Sequence, residues 1–96
     1  MRPPSKARVL GKTWSIHWPH GLEDAAGLTN HASLRIDVDL DQPLEHLQDT
    51  LLHELLHTID NELQLNAGEK RVAAMATVLL QIMKDNPRIR KFIFGA

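Results

Sequence analysis

At 96 residues the chain has the length of one domain, with room for a thin hydrophobic core. A net charge of −1 gives no overall pull toward nucleic acid, and the lack of cysteine excludes disulfides, thiolate zinc sites, iron–sulfur clusters and cysteine nucleophiles. No apolar run reaches the ~18–20 residues of a membrane span, and MRPPSKARVL has no signal-peptide apolar stretch, so a cytoplasmic protein with no membrane partner is expected.

Residues 1–6 are expected to form a flexible leader to a single domain spanning 1–96. Ala7–Leu10 and Thr13–Trp18 read as strands flanking a Gly11-Lys12 turn. Trp14, Ile16 and Trp18 alternate onto one face, which assigns the tryptophans to the core. Residues 20–31 read as loop, with a short extended piece near Gly27-Leu28-Thr29. Leu34–Val38 is a further alternating strand, and it is expected to be the edge on which an extended peptide docks.

The hydrophobic period then changes from two to that of a helix. Asp41 is the expected N-cap and Pro43 falls in the first turn. Leu44, Leu47, Leu51, Leu55, Ile59 and Leu63 recur at helical spacing as far as about Leu63 or Leu65. Asn66-Ala67-Gly68 breaks this helix, a second runs from about Glu69 to Lys84, and Asn86-Pro87 stops it. Ile89, Phe92 and Ile93 are expected to pack as a last short segment. Strands followed by helices predict an α+β domain.

Both ends of the chain are basic. Between Thr13 and Glu69 the only basic residue is Arg35, among Asp37, Asp39, Asp41, Glu45, Asp49, Glu54, Asp60 and Glu62. Such a stretch is a solvated surface or the surroundings of a cation.

The chemically specific motif is His53-Glu54-Leu55-Leu56-His57, an HExxH in the middle of the first helix. Four residues turn the helix by about 400°, so the two imidazoles stand one above the other and can grip one ion. Glu54, rotated about 100° from His53, is placed to take a proton from water activated by that ion. With Leu44 at zero, Leu47, Leu51, Leu55 and Ile59 lie within about 60°, whereas His53 and His57 fall near 180° and 220°. The histidines therefore do not belong to the core stripe.

A catalytic zinc site takes three protein ligands. Glu69 is the favoured third, because it begins the second helix in line with Val72, Ala73, Ala76, Leu80 and Met83. Its spacing from Asn66 also fits a capping box, and Asp60, Glu62 and His46 are competitors. Asp60 can alternatively orient a histidine. No tyrosine is present, which leaves His17, His20, His31, Arg71 or backbone N–H groups to steady an oxyanion.

The run Thr50–His57, followed by Glu69-Lys70-Arg71-Val72 and Leu79–Pro87, resembles small phage and prophage metallopeptidase-like proteins similar to the ImmA/IrrE-type, minimal gluzincin-like zinc metallopeptidases. The resemblance covers about Lys12 to Pro87. It implies a zincin-like core, with a small sheet, an HExxH active-site helix and a second helix carrying the ligand glutamate, at Glu69. It further implies Zn2+ as cofactor, His53, His57 and Glu69 as its ligands, Glu54 as catalytic base, a peptide or protein substrate, and a phage-infected or lysogenic bacterial host. A zinc-binding regulatory or partner-binding module without turnover is the alternative.

Overall fold

Four short strands and three helices follow one another along residues 2–95, the part of the chain described by the computed structural model. The strands are β1 (Lys6–Val9), β2 (Lys12–His17), β3 (Gly27–Asn30) and β4 (Arg35–Val38). The helices are α1 (Leu44–Leu63), α2 (Glu69–Asp85) and α3 (Pro87–Phe94). The fold is α+β, as the change of period predicts.

The sheet order is β1-β2-β4-β3, with β2 and β4 parallel and the other neighbours antiparallel. This arrangement corrects the expected docking edge. β4 is hydrogen-bonded on both sides, so it has no free edge, and β3 is the open strand beside α1. The first hairpin also turns one residue earlier than predicted. Val9 pairs with Lys12 across Leu10 and Gly11, whose φ values of 50° and 81° fit a type I′ turn.

Trp14 and Ile16 of β2 and Ile36 and Val38 of β4 are buried together, with Leu47, Leu51 and Leu55 of α1 packed against them. Trp18 is half-buried on the same cluster, and its indole N–H donates to the Pro4 carbonyl at 2.7 Å. The Ser5 carbonyl accepts from Ile16 N–H at 2.9 Å. Of the expected leader, residue 1 lies outside the described residues, residues 4 and 5 make these two bonds, and Lys6 begins β1. The leucine stripe faces the sheet only in its middle, since Leu44 and Leu63 at the helix ends are exposed.

α1 begins after Pro43 and has no side-chain cap. The Asp41 carboxylate is instead held by His20, 2.7 Å away. That bond raises the His20 pKa above its ordinary value and lowers that of Asp41. The predicted cap fails because Pro43, not Asp41, occupies the N-cap position, which leaves Asp41 two residues outside the helix and free to bond His20. Three other acids of the middle stretch are also engaged. Asp37 pairs with Arg35, Asp39 accepts from Gly21, Leu22 and Asp41 N–H groups, and Asp49 accepts from Thr77 of α2.

α2 lies on α1 through buried Val72 and Ala76. It ends at Asp85, where the Asn86 side chain donates to the Ile82 carbonyl at 2.9 Å, and Pro87 opens α3 at a position that needs no N–H donor. The final segment is therefore helical but not packed into the core. Ile89, Phe92 and Ile93 are all exposed, Phe92 by 82%. No helix among the described residues is long and apolar enough to cross a membrane.

Candidate metal centre

The helical spacing of α1 brings the His53 and His57 Nε2 atoms to 2.9 Å of each other, with both rings half-buried. The side opposite the leucines faces α2, where the chain returns. Gln64 adopts the left-handed conformation that ends α1, and the Leu65 N–H returns to the Asp60 carbonyl. The Ala67 N–H donates to Asp60 Oδ1 at 2.9 Å. Gly68 then takes φ 85° and ψ 162°, a conformation essentially confined to glycine, and α2 starts at Glu69.

This turn sets the Glu69 carboxylate across from the imidazoles. Oε1 is 2.7 Å from His53 Nε2 and Oε2 is 2.8 Å from His57 Nε2. The capping-box alternative is not formed. Gly68 is the N-cap of α2, and no side chain caps that helix. Glu69 is nevertheless 71% exposed, so its place at the head of the inward stripe does not bury it. The cluster opens to solvent on its α2 side.

Two imidazole nitrogens and a carboxylate are a zinc-type donor set. A tetrahedral zinc with bonds of ~2.0–2.1 Å holds its ligand atoms about 3.3 Å apart, so the three groups need to part by only ~0.5 Å to accept it. Rotamer adjustment of an exposed glutamate supplies a movement of that size. The residues fit the ion, and these three are the one such group among the described residues.

The competitors lie elsewhere. Glu62 pairs with Lys12 at 2.6 Å, and His46 sits in a groove with Asp49 and Thr77. Among the described residues Asp60 makes no hydrogen bond to a histidine; it holds the α1–α2 turn and so helps to place Glu69. Among the candidates for steadying an oxyanion, His17 is near Ser15, His20 is held by Asp41, and Arg71 is exposed on α2. His31 alone of these shares a pocket with His57.

Glu54 is 7% exposed and lies on the floor of a cleft of about 400 Å³ between the loop leading into β3, α1 and Glu69. Its Oε1 accepts a hydrogen bond from the Thr29 hydroxyl at 3.2 Å. Gly27, two residues earlier on the same face of β3, permits this approach. A Cβ there would stand 2.8 Å from Thr50 Cγ2, 3.0 Å from Glu54 Cγ and 3.3 Å from the Asp37 carbonyl oxygen. Thr29 and Gly27 are functional-site residues that sequence reasoning missed. The available signal was the isolated glycine in an extended run, a common mark of close backbone approach. Gly27→Ala is expected to destabilise the fold by about 1–3 kcal/mol in a denaturant melt, because β3 must move off α1. An unchanged midpoint would show that this contact is slack.

Comparison of the chain with known protein families, with curated proteins and with solved structures finds no match.

Proposed function

We propose that the protein is a zinc-dependent metallopeptidase, of the kind its HELLH motif and following helix resemble. The observation that carries this reading is the convergence of His53 Nε2, His57 Nε2 and the Glu69 carboxylate beside a buried Glu54 in one cleft. Bound zinc supplies Lewis acidity toward water and toward a peptide carbonyl.

The chain's own residues supply the rest. Glu54 takes a proton as the water oxygen bonds to the carbonyl carbon. It then delivers a proton to the departing amine nitrogen as the C–N bond breaks. The Thr29 hydroxyl fixes one carboxylate oxygen, which limits the orientations open to the base. β3 offers its open edge next to this carboxylate, and an extended peptide can add to it through main-chain hydrogen bonds. Glu69, being exposed, leaves an approach from solvent.

The test is a digest. Zinc-loaded protein is incubated with a mixture of unrelated peptides, and new termini are read by mass spectrometry. The expected result is cleavage that a chelator abolishes and zinc restores. Stoichiometric zinc without any cleavage would replace the peptidase by a binding module that uses the same three ligands.

A further inference from the structure

A second concavity, besides the cleft, borders the candidate metal site at His57. It has a volume of about 330 Å³ and is lined by His31, His57, Asp60, Asn61, Gln64 and Asn66. His57 is common to both. β3 connects them, since Gly27 lines the cleft and His31 follows the last residue of the strand. At ~3.3 Å per residue, this path is about 13 Å long. An extended chain on the open edge of β3 would pass His57 and bring a side chain to this concavity.

Its lining is polar throughout, so it has no apolar floor for a leucine or phenylalanine side chain. Asp60 is the one carboxylate in this lining, and no lysine or arginine lines it. The concavity sits at the C-terminal end of α1, where the helix presents its partial negative charge. No basic residue occupies the last turn of α1 to offset that charge. Asp60 adds a carboxylate whose Oδ1 accepts from Ala67 N–H, while Oδ2 makes no hydrogen bond among the described residues. The basic residues near this end of the helix are Lys12, neutralised by Glu62 at 2.6 Å, and Lys70 and Arg71, exposed in the first turn of α2, and none of the three lines the concavity.

We infer that this concavity is a subsite for a cationic side chain, lysine or arginine, of a peptide whose neighbouring bond lies at His57. The inference rests on the peptide-binding reading above and adds the class of substrate. The carboxamides of Asn61, Gln64 and Asn66 offer oxygen acceptors to the ammonium or guanidinium, and Asp60 supplies the charge.

The experiment uses four peptides identical except for one position, occupied by lysine, glutamine, leucine or glutamate. Binding to zinc-loaded Glu54→Gln protein is followed by amide NMR shifts, so that turnover is not required. The lysine peptide is expected to bind about five-fold more tightly than the leucine or glutamate peptide, with shifts at His31, Asn61, Gln64 and Asn66 and a preference that weakens with salt. Asn61→Lys, on an exposed helical position, is expected to reverse the order in favour of glutamate. Asp60→Asn keeps an acceptor for Ala67 N–H and is expected to abolish the preference for lysine. Equal binding of all four peptides, a preference for leucine, no binding by any, or an order unaffected by Asn61→Lys would overturn the subsite. Lysine-selective binding at these amides in a protein that cuts no peptide would leave the subsite standing and remove the peptidase reading.

Discussion

Glu54→Gln is expected to lower peptide hydrolysis by about 10²–10⁴-fold while the zinc content and the melting temperature stay unchanged. The substitution is close to isosteric, and the glutamine carbonyl oxygen can still accept from the Thr29 hydroxyl, so the cleft keeps its shape. What is lost is the acceptor for the proton of the attacking water. Glu54 is not one of the three groups placed to hold an ion, so the substitution leaves that donor set intact. Paired measurements of kcat/KM and of bound zinc check this. A variant as active as the wild type would remove Glu54 as the base.

Removing zinc is expected to lower the melting temperature by roughly 10–20 °C. At a free zinc concentration about 100 times Kd, binding contributes about 2.7 kcal/mol, and each kcal/mol moves a domain of this size by about 4–8 °C. The location of the three groups explains why a bound ion would act on folding. His53 and His57 belong to α1 and Glu69 to α2, so one ion held by all three would join two helices. That joint is otherwise thin. Val72 and Ala76 are the buried residues of α2, and Thr77–Asp49 is an exposed polar link between the helices. Calorimetry of chelated and reloaded samples, each with its zinc content measured, provides the check. Equal melts for zinc-free and zinc-loaded protein would show that the two helices do not depend on the ion.

The helices were legible in the sequence because their signals are local. A leucine every three or four residues from Leu44 to Leu63, Gly68 before α2 and Pro87 after it place the boundaries within a residue or two. The juxtaposition of Glu69 with the histidines followed from the same local signals. Two helices joined by five residues must fold back on each other, and the HExxH spacing turns its histidines to the side away from the core leucines.

The misreadings have a tertiary origin. Asp41 is a residue type that caps helices, but α1 starts only after Pro43, and Asp41 bonds His20 from another part of the chain instead. Leu34–Val38 alternates as an edge strand does, but strand order is set by where the 18–26 connection leads, and that connection puts β3 outside β4. Thr29 became visible as a partner of Glu54 only once β3 was placed against α1. Ile89, Phe92 and Ile93 are apolar enough to pack as a last short segment, yet α3 contacts α2 and no strand, and all three stay exposed.

The most direct measurement is a crystal structure of zinc-soaked protein with anomalous data collected on both sides of the zinc absorption edge. The geometry described above predicts one anomalous peak per chain, about 2.0–2.1 Å from His53 Nε2, His57 Nε2 and an oxygen of Glu69, with the Glu54 carboxylate outside the first coordination sphere. Zinc bound at other residues, or no peak between α1 and the start of α2, would contradict it.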